Sequence, residues 1–379
     1  MAITWRCTSC GTPYPDDGLP YRCPKCGGVF DRPDIPTFDP QAQPPDAPGI
    51  WRYRHTFALP ENAPIVSLGE GRTPLVWDEA FGRRVAFKME YVNPTGSHKD
   101  RGAALMASFL KARGVSEAVE DSSGNAGAAF AAYAARAGLH ARIYTPAYAS
   151  SVKRAQMAAY GAEVIAVDGP RSAAAEAARQ DADRGVPYAS HAFLPVGLDG
   201  YATIAYEIYE QIGAPGAVVA PVGHGGLLLG IARGFLALQR SGLIPRMPRI
   251  FGVQALACAP VWAVARGGRE ALGWVTDQVP TAAEGVRVRW PVWGDALLQL
   301  AEAHDGTFLV VEEEAILPAR AALAQRGFFV EPTSALVWDA LRQISNCAPD
   351  PIVAILTGSG FKAPQVSVTP SSNPGEAKR

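Results

Sequence analysis

Short apolar runs alternate with Ala- and Leu-rich stretches of helical period along most of this chain, and glycines close several of the helical stretches. No other feature restricts the fold as much. Residues 85–89, 141–144, 163–167, 217–220, 250–253 and 351–356 read as strands. Residues 101–113, 126–137, 152–160, 171–184 and 227–239 read as helices, the first three stopped by Gly114, Gly138 and Gly161. Such alternation lays strands parallel and covers both faces of the sheet with helices, so the expected class is α/β. At 379 residues the chain is long enough for two such units with a ligand cleft between them. The expected boundaries are a zinc-ribbon-like cysteine knuckle at 1–30, a proline-rich linker at 31–64, a large unit from 65–95 and 200–366, a small unit at 96–199, and a disordered tail at 367–379. Within the linker, Pro36, Pro40, Pro44, Pro45 and Pro48 argue against regular structure.

Lys and Arg number 35 against 36 Asp and Glu, a balance that argues against a nucleic-acid partner held by bulk charge. The residues from Met1 to Cys7 hold no uninterrupted apolar core of a signal peptide, and the apolar stretch 218–238 is broken by His224, Arg233 and several glycines. The expectation is a cytoplasmic protein without a membrane span.

Four of the six cysteines form two pairs, Cys7-x2-Cys10 and Cys23-x2-Cys26. Each pair can turn two thiolates toward one point, and two such turns complete a closed tetrahedral Zn2+ site. Iron in a rubredoxin-like site and unligated thiols are the alternatives. A segment this short builds no core, so the metal would supply its folding energy. It is expected to dock on its own chain rather than on a nucleic acid. Cys258 and Cys347 are read as packed thiols.

Chemistry is concentrated in a few motifs. The turn Asn93-Pro94-Thr95-Gly96-Ser97 leads into His98-Lys99-Asp100-Arg101, with Lys99 expected about one turn into a helix. Burial and the neighbouring cation Arg101 would lower the pKa of Lys99 and favour its neutral amine; an ordinary surface lysine is the bland alternative. His98 is read as a packing or cofactor neighbour and not as a base. Ser122-Ser123-Gly124-Asn125-Ala126 opens a helix whose free N–H groups suit a carboxylate. The Asn125 amide can reach a phenolate oxygen on a cofactor ring. Gly223-His224-Gly225-Gly226-Leu227 lies between a strand and a helix, where glycines let N–H groups converge on a phosphate. Thr357, or as second choice Ser359, ends a strand and can offer a hydroxyl to a pyridine nitrogen. A hydroxyl does not hold that nitrogen protonated, which suits elimination or replacement over transamination. An amine, an anion-binding turn and a phosphate loop are the parts needed to hold pyridoxal 5'-phosphate (PLP) and an amino acid.

These motifs, in this order, resemble the fold type II (tryptophan-synthase-β-like) family of PLP enzymes, and within it the threonine-synthase-like group. Ser67-Leu68-Gly69-Glu70-Gly71-Arg72-Thr73-Pro74-Leu75, the Asn93–Gly102 segment, Ser122–Gly127, Pro221–Gly226 and Thr357–Lys362 carry the resemblance, which spans about Ser67 to Lys362. It implies Lys99 as the lysine that attaches PLP, Asn125 at its 3-oxygen, Gly223 to Leu227 around its phosphate and Thr357 at its ring nitrogen. A short cysteine knuckle also occurs in some threonine-synthase-like proteins, and a homodimer is the family expectation.

The sequence departs from that group where specificity should lie. Ala126 stands where Thr is usual, and Leu194-Pro195-Val196-Gly197 replaces a run whose Arg grips the substrate phosphate, leaving Gly197 in its place. Lys153 or Arg154 is the candidate substitute, with Lys153 counted among the substrate-binding residues alongside Ser122 to Ala126. His98 replaces a usual aromatic and Ser359 a usual His.

The expected activity is that of a PLP-dependent lyase or synthase on a small amino acid, most nearly conversion of O-phosphohomoserine to threonine and phosphate. Released Lys99 would act as the general base at Cα before a β- or γ-group departs. Threonine/serine dehydratase and β-replacement on an activated serine (cysteine or cysteate synthase-like) are the alternatives, and a non-catalytic PLP- or amino-acid-binding protein is the reading from another class.

Overall fold

The computed structural model describes residues 5–60 and 62–363; the tail expected at 367–379 lies outside the described residues. From the N-terminus, β1 (Arg6–Cys7) and β2 (Phe30–Asp31) pair antiparallel and bracket the cysteine turns. The next elements are β3 (Leu75–Ala80), β4 (Arg83–Met89), α1 (Lys99–Ala112), β5 (Glu117–Asp121), α2 (Asn125–Ala137), β6 (His140–Pro146), α3 (Ser151–Ala159), β7 (Glu163–Val167) and α4 (Arg171–Asp183). The chain continues through α5 (Val196–Ile212), β8 (Ala217–Pro221), α6 (Gly226–Arg240), β9 (Arg249–Ala255), α7 (Pro260–Gly267), α8 (Gly294–Ala303), β10 (Thr307–Val311), α9 (Glu313–Ala324), α10 (Pro332–Ile344) and β11 (Ile352–Leu356).

Two sheets organise these elements. One has the order β10-β9-β8-β11-β4-β3, and the other is β5-β6-β7. All neighbours are parallel except β3 and β4. That exception is a hairpin the sequence reading did not anticipate. Phe81 and Gly82, both at positive φ (52° and 72°), make the two-residue turn that antiparallel strands favour.

β11 is buried along its whole length between β4 and β8. A strand with both neighbours and both faces covered reads as an unbroken apolar run. Burying each of Ile352, Val353, Ile355 and Leu356 is worth about 1.5–3 kcal/mol. Leu356 pairs with Met89, and Ala354 with Val219, so β4, β8 and β11 end at the same edge of the sheet. The loops after them are the motif-bearing segments. This is the carboxyl edge where open α/β sheets hold ligands.

The proline-rich stretch corrects the expectation of an unstructured linker. Gly49–Thr56 forms a 3-10 helix that buries Ile50, Trp51 and Tyr53 and packs on α5. Prolines restrict the backbone, but the aromatic and aliphatic side chains between them supply an apolar face that water expels. Gly49 (φ 51°) lets this strap lie against the Glu70 carbonyl, where a Cβ would collide. The cysteine segment docks on the same body: Trp5 packs on Phe109 of α1 at 5.1 Å, and Arg113 donates to the carbonyl of Pro15 at 3.2 Å. Cys258 is buried as expected; Cys347 is exposed, because it lies in the turn that follows α10.

Candidate active site

Lys99 is the first residue of α1, not one turn in. Its position is fixed by the turn before it. Gly96 (φ 86°) reverses the chain, and the segment then bonds to the end of β11: His98 N–H donates to the Thr357 carbonyl at 3.0 Å, and Ser359 N–H to the Gly96 carbonyl at 2.9 Å. Asp100 ties down the front of the turn by accepting from Thr95 N–H (2.6 Å) and from the Thr95 hydroxyl. Behind it, Arg101 is fully buried and donates to Glu90 Oε2 at 2.7 Å, Thr203 Oγ1 at 2.9 Å and Glu207 Oε1 and Oε2 at 2.8 Å each. Thr73 Oγ1 donates to Glu90 at 2.6 Å, and Lys88 Nζ to Glu207 at 2.7 Å. The Ser67–Leu75 motif therefore serves the scaffold: Glu70 bonds Leu68 N–H and Tyr133 OH (2.9 Å each), and Thr73 joins the ionic cluster.

Lys99 opens into a cavity that Ser123, Gly124, Asn125, Ala126, Lys153, Thr357 and Gly223 to Leu227 also line. Segments remote in sequence thus meet at one point. Ser122 does not line the cavity. It is buried, and its Oγ accepts from Gly124 N–H at 3.1 Å, shaping the turn. Ser359 is absent from the lining too; its side chain caps the 3-10 turn Gly360–Lys362. Of the two hydroxyl candidates, only Thr357 lines the cavity.

Burial lowers the pKa of Lys99 to about 8, against the opposing carboxylates of Glu120 and Glu331. The expectation that Arg101 would do this is corrected, since that guanidinium points into the Glu90–Glu207 cluster. The Lys99 ammonium lies 5.6 Å from the Tyr201 ring centre, on the same ring that His98 meets at 5.6 Å. His98, His191 and His224 all face the cavity, and burial holds each below the usual histidine range, His191 down to about 3. All three are neutral near pH 7. His191 Nδ1 bonds Glu120, whose carboxyl burial and Asp121 push well up.

Glu331, His191 and Tyr201 were not found in the sequence. Glu331 accepts from Asn125 Nδ2 at 2.8 Å and pairs with Lys153 Nζ at 3.2 Å, so it connects two residues that were found. Its one local sign is the Glu-Pro pair at the start of α10, which reads equally as a helix start.

The donor set fits PLP. The Thr357 hydroxyl, His224 Nδ1 and Asn125 Oδ1 are buried without hydrogen-bond partners among the described residues, a state natural proteins seldom leave unanswered. One N–H of the Asn125 amide remains to donate. Gly225 (φ 94°) and the N-terminus of α6, whose first N–H groups have no partner within the helix, lie at the cavity wall, and a Cβ at Gly223 would crowd the Gly285 carbonyl at 2.8 Å.

Comparison with known proteins accords with this geometry. A family model described as "Pyridoxal-phosphate dependent enzyme" matches residues 66–358. A threonine synthase of Methanocaldococcus jannaschii is 32% identical over 388 residues, covering 97% of this chain and 95% of the relative. A threonine synthase of Synechocystis sp. is 34% identical over 335 residues, covering 86% and 85%. Among solved structures, a threonine deaminase of T.th. superposes with a TM-score of 0.64 at 30% identity, covering 76% of this chain and 92% of that one. Maize serine racemase shares the fold, with a TM-score of 0.64 at 23% identity over 76% and 88% of the two chains.

Proposed function

The chain belongs to the family of pyridoxal-phosphate dependent enzymes, and from that premise we propose that it is a threonine-synthase-like carbon–oxygen lyase that converts O-phosphohomoserine and water to threonine and phosphate. The observation that carries the reading is one cavity holding a half-buried amine of lowered pKa, an unanswered hydroxyl at Thr357 and a glycine loop at a helix start. Relatives named threonine synthase that cover almost the whole chain support the choice of reaction.

PLP, when bound, supplies an electron-withdrawing ring that acidifies the substrate Cα–H. This chain's residues do the rest. N–H groups from Gly223 to Leu227 would hold the cofactor phosphate, Thr357 Oγ1 would serve the ring nitrogen, and the Asn125 amide would serve the 3-oxygen. The turn Ser123 to Asn125 binds the substrate carboxylate. Lys99 would attach the cofactor, and its Nζ, when free, would take the proton from Cα; a pKa near 8 places that amine close to neutral pH.

A second reading has a specific observation behind it. Beside Lys99 lies a small recess lined by Ala103, Met106, Ala126, Leu194, Gly197 and Tyr201, with no arginine among the described residues of its wall. It accommodates the methyl of threonine better than a dianion, which favours hydroxyamino-acid dehydration. Product analysis separates the two. Equal amounts of threonine and phosphate from O-phosphohomoserine are expected; a ketoacid from threonine or serine, with O-phosphohomoserine untouched, would reject the synthase in favour of the dehydratase.

The four cysteines are proposed to hold a structural Zn2+. The sulfurs of Cys7, Cys10, Cys23 and Cys26 lie within 4.8 Å of one another, with Cys7–Cys26 at 3.4 Å and Cys10–Cys23 at 3.7 Å. Tetrahedral zinc with bonds of about 2.3 Å needs sulfurs about 3.8 Å apart. Purified protein is expected to carry one zinc per chain by elemental analysis and to unfold at lower temperature after chelation. Metal-free protein with an unchanged midpoint would refute the assignment.

A further inference from the structure

A wide groove of about 690 Å3 adjoins the cavity and shares Ser123, His191, His224, Glu284 and Gly285 with it. An amino acid held by its carboxylate at Ser123 has this groove as a second direction for its side chain. Six arginines and four acids face it. Three of the arginines are already matched: Arg171 with Asp121, Arg179 with Glu176 and Arg269 with Asp295.

The other three, Arg22, Arg287 and Arg289, form no ion pair among the described residues. Asp277 and Glu284 share the groove wall with them and have not moved into pairing distance. Arg22 is held by the Phe193 ring at 4.6 Å and donates to the Gly27 carbonyl at 3.3 Å. Arg287 donates to Tyr148 OH at 3.3 Å. Arg289 lies over the Trp290 ring at 5.1 Å, and its Nε is buried with no partner among the described residues. Guanidiniums held by aromatic side chains, two of them by ring faces and Arg287 by a phenol hydroxyl, keep donors free for an oxyanion.

We propose that Arg287 and Arg289, joined by Arg22 from the cysteine segment, form a subsite for a phosphate-class oxyanion on the side chain of the substrate. It would replace the guanidinium lost at Gly197, from a different wall of the site. The inference deepens the synthase reading and rests on it for the identity of the amino acid; the anion subsite itself is tested separately.

The probe is inorganic phosphate, titrated by calorimetry into holoenzyme fully loaded with PLP. Wild-type protein is expected to bind it in competition with O-phosphohomoserine. In R287Q/R289Q the dissociation constant should rise roughly ten-fold or more, as expected for lost charged hydrogen bonds, and in R22Q by less. Cofactor absorbance and the unfolding midpoint report whether each variant is folded and loaded. If R287Q/R289Q fails to load, R287K/R289K keeps the charge without the fork and should still weaken phosphate binding several-fold. Phosphate binding within two-fold of wild type in a loaded variant overturns the subsite. Arginine-dependent phosphate binding without turnover of O-phosphohomoserine keeps the subsite and removes the synthase. Turnover with an unchanged KM in R287Q/R289Q removes the subsite and keeps the synthase.

Discussion

Lys99→Ala is expected to abolish covalent retention of the cofactor after borohydride treatment and dialysis, and to lower turnover roughly a thousand-fold or more. Among the described residues the cavity holds one other amine, Lys153, and Glu331 engages it at 3.2 Å. Nothing else in that lining can both attach an aldehyde and carry a proton from Cα. The pH dependence has a definite sign. Burial makes Lys99 a free amine above about pH 8, where an exposed lysine would still be an ammonium. Attachment of PLP to apoprotein should therefore rise with pH to a half-maximum near 8, not near 10.5. Peptide mapping after reduction checks the position. A Lys99→Ala protein that still traps cofactor covalently, at Lys153 or elsewhere, would end the proposed role.

The second large effect is on stability. Arg101→Met should destabilise the protein by about 3–5 kcal/mol, the usual result of removing one partner from a buried ion pair. Burial alone would lower the pKa of Arg101, yet Glu207 and Glu90 hold it well above its ordinary value, so the guanidinium stays charged. Without it, Glu90 keeps only neutral donors, from Thr73 and Asn93. Glu207 retains Lys88 at 2.7 Å. Thermal unfolding should move down by roughly 5–15 °C. Removing the stranded charge as well, in R101M/E90Q, should recover part of the loss. If the double variant is as unstable as the two separate losses added together, the penalty does not come from an unpaired buried carboxylate. Arg101 follows Lys99 by two residues in α1, so the same variant should also weaken PLP retention.

Much of this architecture could be read from the chain because its signals are local. An apolar run such as 163–167 can be a strand in few other ways, and Gly138, at φ 72° after an alanine helix, marks its stop in the sequence. The glycine loop at 223–226 and the turn at 93–97 announce themselves by residues that are costly elsewhere. What escaped notice depends on distant partners. Trp51 and Tyr53 are interior only because α5 lies over them. Ser122 and Ser123 are adjacent and chemically alike, and only the path of the turn sends the first inward and the second to the cavity. Thr357 and Ser359 are two residues apart on the same edge, yet only the first lines the cavity while the second caps the 3-10 turn that follows. Glu331 and His191 carry no motif at all; they matter because three-dimensional packing sets them beside Asn125 and Glu120.

β11, the last strand in chain order among the described residues, lies inside the larger sheet and leads directly into Thr357. A ribosome must therefore emit the chain as far as Ser359 before β4 and β8 gain their common neighbour and the turn bearing Lys99 finds its latch. Prematurely terminated products lack a finished reaction centre.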